Sequence, residues 1–363
     1  MNEERLVFFY PSFERGGATK ILVKLINFFL KKKTRIILFS CNCKYNNFIR
    51  SKNIKIIGAK INSKSRFYIN ILTSYYLFKF LKKNLKNKFK VFSLQSHIPV
   101  IILSKIFKKK IIIRNSEEIF GATKYAENKL YAFVTFLFKI IFYNFADKII
   151  AISKKSKDSL QAIVIKKKKV KLIYNPYLED NKKFKFNLNS KTNHNFNILC
   201  IGRLTKQKNF SLIIKVVNSL YSFYPNINLT IVGDGPLRQK LIAISGPNIK
   251  FVNWCHNIKK YFLKSHLFVL PSYYEGLPNA LIDAVYYGIP AISTDCSGAR
   301  DILRSNKGGF LIPINNSKEL QKKIIYTMEN YNKTIKKIYY AKNFLLNFSD
   351  CNCQKYFKLI CNK

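Results

Sequence analysis

The chain has 363 residues, more than a single hydrophobic core usually organises, so about two domains are expected. Hydrophobic residues make up 48% of it and aromatic residues 15%, which excludes a low-complexity disordered protein. The formal net charge is +47, yet the sequence has no zinc-finger spacing, RNP aromatic motif or KH loop, so we predict no nucleic-acid partner and expect most lysines to be solvated.

Cysteines and apolar runs bear on the cellular compartment. The eight cysteines match no known metal spacing, so reduced thiols in a cytoplasmic protein are expected. The first residues include acids and only a brief apolar run, unlike a signal peptide. The longest apolar stretch, near Leu130 to Phe145, is broken by Lys139 and is shorter than the roughly 20 residues of a membrane span. We therefore predict a cytoplasmic protein without a transmembrane helix.

The first half of the chain alternates strand-like and helical patterns. A helix is predicted from Ala18 to about Leu30, after a first strand and a glycine-containing loop. The strand-like runs are Leu6–Tyr10, Arg35–Phe39, Ile54–Ile57, Val91–Leu94, Ile111–Ile113 and Lys148–Ala151. Such alternation predicts βαβ units around a parallel sheet, and we place this N-terminal domain at residues 1–176.

A polar break separates the two halves. Pro176 and the stretch Glu179 to Asn195 predict a linker at residues 177–196. A second alternating set follows, with strands at Asn197–Ile201, Asn228–Val232, Lys250–Val252, Leu267–Leu270 and Ala291–Ser293 and helices near Phe210–Leu220, Pro236–Ile244 and Asn279–Tyr287. We predict a second Rossmann-like domain at residues 197–337.

The stretch from Pro271 to Pro290 is the most informative part of the sequence. A short apolar run before Pro271 predicts a buried parallel strand and the spacing after Asn279 predicts a helix, so Glu275 lies in the loop between them. Asp283 follows eight positions later, which we expect to be about two helical turns along, with both acids facing one pocket. Such loops bind ligands in open α/β sheets, and helix N-termini attract phosphate. A capped helix with an acid in its first turn explains the same residues without a ligand.

Two cations follow another predicted strand. Arg203 comes directly after Gly202, and Lys208 precedes the next helix. A diphosphate there would be held by a fork-shaped guanidinium and a compact ammonium. Among 65 Lys and Arg residues, either cation alone is also expected as ordinary surface charge. Gly16 and Gly17 open the first helix and either let backbone N–H groups approach an anion or sugar, or form a plain glycine turn.

Together these motifs resemble the retaining glycosyltransferases of GT-B family 4, whose E-x7-E signature is close to PS-x-x-E-G-x-P-x-x-x-x-E-A-x-x-x-G-x-P. The matching residues are Pro271, Ser272, Glu275, Gly276, Pro278, Ala284, Gly288 and Pro290, and Gly202-Arg203-Leu204 with Lys208-Asn209 resembles the family's G-R-L-x-x-x-K-N/G. The resemblance implies an α/β GT-B fold, two Rossmann-like domains with parallel sheets facing a central cleft. It also implies a C-terminal helix that returns to the N-terminal domain, which we place at residues 338–363.

The resemblance also implies roles for individual residues. In the family the first acid contacts the donor sugar and the second holds the nucleotide ribose, roles that fall to Glu275 and Asp283. Asp283 stands where the family has Glu, so ribose binding is kept through a shifted backbone or a bridging water, or activity is weakened. Arg203 and Lys208 correspond to the diphosphate-binding cations and, with Glu275, are the predicted catalytic residues. The predicted donor-binding residues are Gly16, Gly17, Gly202, Gly276, Leu277 and Asp283.

Further loops of the second half resemble family motifs. The Gly233–Leu237 turn resembles V-G-x-G-P and is assigned a structural role, because a tight turn explains its glycines. Phe251–His256 occupies the region where the family holds the nucleotide base. The stretch Thr294 to Asp301 resembles T-D-x-G-G-x-x-E, with Ser297 in place of one glycine and the final acid shortened to Asp.

The acceptor-binding half carries three candidate residues. His97 follows the strand Val91–Leu94 in a region where many relatives have a histidine, and it bonds a hydroxyl or phosphate or serves in packing or capping. Asn115 is predicted to bond the donor hexose, and Arg114 to hold the acceptor phosphate. Many relatives have a His-Asp-type pair at this place, and this chain has no histidine there.

We predict a retaining hexosyltransferase that moves a hexose or N-acetylhexosamine from a nucleotide diphosphate sugar, expected to be a UDP-sugar. The predicted acceptor is a glycan or polyprenol-linked saccharide in surface polysaccharide or glycan biosynthesis. No cofactor or metal is expected, because an Asp-x-Asp pair is missing from the sequence and two cations neutralise the diphosphate instead.

Charge and aromatic content leave two questions open. The basic aromatic helix near Ile69–Lys90 predicts peripheral contact with an anionic membrane, on the inner face of the cell membrane, unless this helix packs on its own sheet. The rival hypothesis is a noncatalytic basic protein that binds membrane or nucleic acid on a degenerated GT-B fold. Asp283, Asp301 and the net charge of +47 favour it.

Overall fold

A computed structural model describes residues 5–13, 16–41, 53–59, 61, 65–180, 195–255 and 257–361. The chain divides into two compact units. Unit 1 comprises Met1–Ile119, Leu130–Asp180 and Phe348–Lys363, and unit 2 comprises Phe120–Lys129 and Asn181–Asn347. Most of the predicted linker, residues 181–194, lies outside the described residues, as do Glu14, Arg15 and His256.

Each unit is built on one parallel sheet. The strands are β1 (Arg5–Phe9), β2 (Arg35–Phe39), β3 (Ile54–Ile57), β4 (Phe89–Ser93), β5 (Lys110–Asn115), β6 (Lys148–Ala151), β7 (Val170–Leu172), β8 (Phe196–Ile201), β9 (Ile227–Val232), β10 (Ile249–Val252), β11 (Leu267–Leu270), β12 (Ala291–Thr294) and β13 (Phe310–Ile312). The strand order is β3-β2-β1-β4-β5-β6-β7 in unit 1 and β10-β9-β8-β11-β12-β13 in unit 2. Two Rossmann-like α/β domains with parallel sheets were predicted, and they are confirmed.

Helices connect the strands and cover the sheets. They are α1 (Gly17–Lys31), α2 (Arg66–Lys83), α3 (His97–Ile106), α4 (Ile119–Lys124), α5 (Lys129–Phe142), α6 (Lys154–Ile163), α7 (Phe210–Tyr221), α8 (Arg238–Ala243), α9 (Lys259–Leu263), α10 (Asn279–Tyr286), α11 (Ser297–Ile302), α12 (Ser317–Glu329), α13 (Tyr331–Lys342) and α14 (Cys351–Cys361). Strands covered on both faces must be apolar throughout, which explains their near-continuous Ile, Val, Leu and Phe.

The helices of unit 1 divide between the two faces of its sheet. On one face, α1 and α14 pack with strand residues such as Phe8 and Phe92. On the other face, α2, α3, α5 and α6 pack with strand residues such as Phe9, Val91 and Ile113. Alternate residues of a strand point to opposite faces, so neighbours such as Phe8 and Phe9 belong to different cores. Unit 2 has a core cluster of its own around α7, β8 and β9.

The strand order reverses beside the first strand of each sheet. In unit 1 this switch lies between β1 and β4, and in unit 2 between β8 and β11. Ligands of open α/β sheets bind at such a point, outside the carboxyl ends of the strands. Gly16 and His97 follow β1 and β4, while Lys208 and Glu275 follow β8 and β11. The topology therefore places predicted site residues of each half at the switch point of its own sheet.

The chain returns from unit 2 to unit 1 later in the sequence than we predicted, at Phe348. The predicted returning segment began at residue 338, but α13 extends to Lys342 and belongs to unit 2. Residues Phe348–Lys363 belong to unit 1, where α14 packs against α1. Lys24 of α1 holds this segment through an ion pair to Asp350 at 2.7 Å. Sequence periodicity does not separate the two helices, because α13 and α14 have similar amphipathic patterns.

Candidate active site

The loop between β11 and α10 buries its carboxylate beside a lysine. Glu275 is only 6% exposed. Its Oε1 atom accepts a hydrogen bond from Ser272 Oγ at 2.7 Å and forms an ion pair with Lys208 Nζ. A buried charge is tolerated when it is paired and hydrogen-bonded, as here. The site thus combines a fixed acceptor with a cation that has further donors to offer.

Local backbone geometry brings Lys208 to this position. The side chain of Lys208 passes over Gly202, where an added Cβ would lie 3.1 Å from Lys208 Cε. A larger residue at position 202 would therefore push the lysine away. Lys208 ends a short 3-10 turn, and Asn209 follows with a left-handed φ of 48°, which asparagine tolerates better than most residues. This explains the glycine and the Lys-Asn pair in structural terms.

Backbone contacts hold the two loops together. The backbone N–H of Tyr273 donates to the carbonyl oxygen of Gln207 at 2.8 Å, and Gln207 Nε2 donates to the carbonyl oxygen of Tyr274 at 2.9 Å. The Tyr273 ring stacks on Tyr125, with ring centroids 4.9 Å apart and planes 19° apart. The loops after β8 and β11 therefore form one preorganised wall. Gln207 and Tyr125 were not predicted, because only the fold brings them beside this loop.

The other predicted residues of this wall differ in exposure. Arg203 is exposed, whereas Gly276 and Leu277 are buried. Gly298 packs directly against them, since an added Cβ would lie 2.5 Å from Gly276 O and 2.6 Å from Leu277 Cα. The glycine of the Thr294–Asp301 stretch thus shapes the Glu275 loop by close backbone approach.

The structure corrects the expected position of Asp283. We predicted it about two helical turns from Glu275 on one helix, but α10 begins only at Asn279. Asp283 is the fifth residue of α10, about one turn from its start. Burial and the nearby Asp283 carboxylate raise the pKa of Tyr287. The two acids therefore lie on different elements, Glu275 in the loop and Asp283 on the half-buried side of α10.

The strand next to β11 supports the same loop. Thr294 Oγ1 donates to the carbonyl oxygen of Ser272 at 2.5 Å. Burial, together with the Glu275 carboxylate, raises the pKa of the Cys296 thiol to about 12. This cysteine is a protonated packing group at neutral pH and has no thiolate character. Neither the Thr294–Ser272 hydrogen bond nor the influence of Glu275 on Cys296 was predicted, although both Thr294 and Cys296 lie in a stretch that resembles a family motif.

In unit 1, His97 is buried at the end of β4. It begins α3, and its Nδ1 lies 2.9 Å from Ser93 Oγ. Burial, with Lys139 and Arg114 nearby, lowers the pKa of His97 from 6.5 to about 3. The imidazole is therefore neutral at physiological pH. It packs against the Tyr143 ring at a centroid distance of 6.0 Å.

Asn115 and Arg114 are buried at the end of β5, each 2% exposed. Asn115 Nδ2 donates to the carbonyl oxygen of Glu117 at 2.5 Å, and its Oδ1 accepts from Tyr143 Oη at 3.4 Å. Asn115 and His97 thus share Tyr143 as a neighbour. Arg114 donates to Asn175 and, at 3.2 Å, to Tyr356 Oη of α14. These contacts give Arg114 an observed structural role in holding α14.

The two N-terminal glycines begin α1. Gly16 precedes the helix in an extended conformation, and a Cβ added to it would have nothing within 4 Å. Gly17 is the first residue of α1. The helix N-terminus and the open space around Gly16 are compatible with an approaching ligand.

Within the described residues, no group of three or more His, Cys, Asp or Glu side chains is arranged to hold a metal ion. None of the helices in the described ranges is both long and apolar enough to span a bilayer.

One protein family matches the second half of the chain. The model of the family Glycosyl transferases group 1 matches residues 180–344, a range that includes the loops of Lys208 and Glu275. This supports, at the level of the family, the resemblance inferred from the motifs.

Curated relatives match over different lengths. A Campylobacter jejuni protein is 28% identical over 346 residues, 91% of each chain, and is named an alpha-1,4-N-acetyl-D-galactosaminyltransferase acting on a GalNAc-containing saccharide linked to undecaprenol by diphosphate. An uncharacterized glycosyltransferase of Methanocaldococcus jannaschii is 34% identical over 226 residues, 57% of this chain and 55% of that protein. The chain therefore matches little more than half of the archaeal protein.

A solved structure matches nearly the whole chain. The crystal structure of Anabaena Alr3699/HepE in complex with UDP and glucose has a TM-score of 0.74, with 16% identity over 99% of this chain and 100% of that one. At this identity the likeness is one of fold. The predicted GT-B fold class is confirmed.

Proposed function

We propose that this chain is a retaining glycosyltransferase that moves a hexose or N-acetylhexosamine from a nucleotide diphosphate sugar, a UDP-sugar, to a saccharide acceptor. The observation that carries the proposal is the buried carboxylate of Glu275 paired with the half-buried Lys208 at the switch point of the unit 2 sheet. This place in an open α/β sheet is where nucleotides bind. The family match over residues 180–344 and the UDP complex of the structural neighbour support the same reading.

Lys208 and Arg203 would stabilise the departing diphosphate. The ammonium of Lys208 has three donors, so it can keep its bond to Glu275 and still donate to a phosphate oxygen. Arg203 is exposed and follows Gly202, over which the Lys208 side chain passes, and it would offer a planar fork for a second phosphate. Charge that develops on the leaving group would thus meet positioned donors, which is the largest contribution in many transferases.

Glu275 would orient the donor sugar. Ser272 and Lys208 both bond to Oε1, so Oε2 remains the oxygen available to accept hydroxyl hydrogens of a sugar. Because both loops are tied by backbone bonds, the carboxylate is held before the donor arrives, which lowers the entropic cost of positioning. Asp283, Gly202, Gly276 and Leu277 would complete the donor contacts, with Gly16 and Gly17 at the start of α1.

Metal independence is part of the proposal. Two cationic side chains supply the positive charge that a divalent ion would otherwise bring to the diphosphate. We therefore expect turnover with excess chelator to equal turnover without it. Strict loss of turnover in chelator, restored by added Mg²⁺ or Mn²⁺, would contradict this.

We propose a glycan or polyprenol-linked saccharide as the acceptor, in surface polysaccharide or glycan biosynthesis. The name of the Campylobacter jejuni relative, which gives an undecaprenol-linked saccharide, supports this class. His97, Asn115 and Arg114 in unit 1 would then lie on the acceptor side. We place the reaction in the cytoplasm, at the inner face of the cell membrane.

The proposal is tested by replacing the carboxylate. We expect Glu275→Gln to lower transfer from the best of a panel of UDP-sugars by at least about a hundredfold, because the amide keeps size but not charge. The matched control is Glu319→Gln, which removes a half-buried ion pair to Lys323 on α12. Unchanged turnover in Glu275→Gln would contradict the transferase proposal and favour a noncatalytic binding protein.

A further inference from the structure

α5 is an apolar helix without a buried residue. Its sequence, KLYAFVTFLFKIIF, has two lysines and no acid, and none of its residues is buried. Phe136 and Ile140 pack partly against the core of unit 1 and fix the orientation of the helix. Its large side chains that are between 42% and 74% exposed include Leu130, Phe133, Leu137, Phe138 and Ile141. Exposed apolar side chains that recur at helical spacing along a whole helix mark an interaction site.

Two other helices on the same face of the sheet also expose apolar side chains. α2 and α3 pack on the same core cluster as α5, so all three cover one face of the unit 1 sheet. Their exposed large hydrophobic residues are Phe67, Tyr68, Ile71, Tyr75 and Phe78 of α2 and Ile106 of α3. On the opposite face, α1 and α14 have no such residue in their described ranges. The exposed apolar surface is therefore one-sided.

Every charged side chain within α2, α3 and α5 is a lysine or arginine, and the neighbouring acids Asp147 and Glu117 pair with Lys105 of α3 and Lys139 of α5. Residues 15–116, which include α2 and α3, contain no Asp or Glu at all. The end of α2 and the residues after it carry a lysine run, Lys79, Lys82, Lys83, Lys86 and Lys88. Apolar and aromatic side chains interspersed with lysines suit the boundary between lipid headgroups and acyl chains, where anionic lipids attract the cations.

From these observations we infer that the outer surface of α2, α3 and α5, the lipid-docking face, binds an anionic lipid bilayer with α5 lying in the plane of the interface. α5 has 14 residues and is too short to span the hydrocarbon core, so it lies on the membrane. A second copy of the chain is a poorer occupant, because a two-fold contact would bring the same lysines together. The inference deepens the proposed function, since a polyprenol-linked acceptor resides in such a bilayer.

Vesicle binding of the full chain tests the inference without donor or acceptor, so its outcome is separate from that of the transferase proposal. The vesicles contain either phosphatidylcholine alone or equal parts of phosphatidylcholine and phosphatidylglycerol. We expect binding to the anionic vesicles that weakens as salt is raised, because exposed charges are screened. Replacing Leu130, Phe133 and Ile141 together by Ser should lower the partition coefficient about tenfold or more. The control Phe223→Ser removes a 79% exposed side chain of unit 2 and should bind like the wild type.

Hydrogen exchange of the wild-type chain provides a second measurement that does not depend on a folded variant. We expect anionic vesicles to slow exchange in α5 and α2 and to leave α1 and α14 unchanged. The inference is overturned if the triple variant binds as well as the wild type, or if protection appears on α1 and α14 instead. Equal binding to both vesicle types would also overturn it, as would concentration-dependent self-association that protects α5 without vesicles.

Discussion

At the scale of single residues, the candidate site joins groups that are distant in sequence. Glu275 and Lys208 were predicted separately from their motifs, but their direct pairing was not. Glu275 lies 67 positions after Lys208 in the sequence, and the two side chains meet only because β8 and β11 are neighbours in the sheet. Ser272 belongs to the recognised motif, yet its bond to Glu275 depends on a loop conformation that spacing does not reveal. Motif spacing therefore selected candidate residues, and the fold determines which of them are in contact.

His97 shows a different limit of prediction at this scale. The sequence placed it in a ligand-binding region, with packing as the alternative. In the structure it is 8% exposed and bonded to Ser93, so its contacts within unit 1 are those of a packed side chain. Burial is decided by helices far along the chain, such as α5 with Lys139, and a lone histidine carries no signal of it.

The low pKa of His97 predicts a specific acid sensitivity. Below pH 6.5 an unfolded His97 takes up a proton, whereas the folded one stays neutral until about pH 3. The unfolded state then binds more protons than the folded state, so the free energy of unfolding falls as pH is lowered through this window, by up to about 1.4 kcal/mol per pH unit. As the pH is lowered from 6.5 to 4, we expect the thermal midpoint of the wild type to fall more steeply than that of His97→Gln. If the thermal midpoints of the two proteins fall in parallel between pH 6.5 and 4, a pKa of about 3 for folded His97 is contradicted.

At the scale of elements, the Glu275 loop is shaped by its neighbours. The short apolar run predicted β11 with the bounds observed, and the helical pattern predicted the start of α10 at Asn279. The expected two helical turns between the two acids were wrong, because Glu275 lies in the loop and α10 begins only four residues after it. The three-residue strands β7 and β13 were not predicted, since runs this short carry no periodicity.

The close packing of Gly298 under this loop leads to a prediction for α11. A Cβ at this position would lie 2.5 Å from Gly276 O, so either the loop or the helix must move. We expect Gly298→Ala to lower the stability of unit 2 by about 1–3 kcal/mol, the usual cost of overpacking. The control Gly16→Ala adds a Cβ into open space and should leave the thermal midpoint almost unchanged. A midpoint for Gly298→Ala equal to that of the wild type would show that the loop is not held in this way.

At the scale of the whole molecule, the alternation of strands and helices predicts the fold, whereas the net charge bears on the binding partner. Alternating strands and helices predicted two parallel sheets, because buried strands leave a strong apolar signal in both halves. The net charge of +47 taken alone favoured nucleic acid or membrane, and the one-sided apolar surface of unit 1 favours membrane. Sequence showed neither that asymmetry nor the division of the C-terminal helices between the units, since both depend on which helix covers which face.

The central claim is that Lys208 and its partner Glu275 form a nucleotide-diphosphate site, and titration calorimetry with UDP tests it most directly because no acceptor is needed. We expect the wild type to bind UDP and Lys208→Gln to raise the Kd about tenfold or more, the usual effect of losing a charge-assisted hydrogen bond. The control Lys323→Gln removes a lysine from a half-buried ion pair on α12 and should leave the Kd unchanged. Equal UDP affinity in the wild type and Lys208→Gln would contradict the claim.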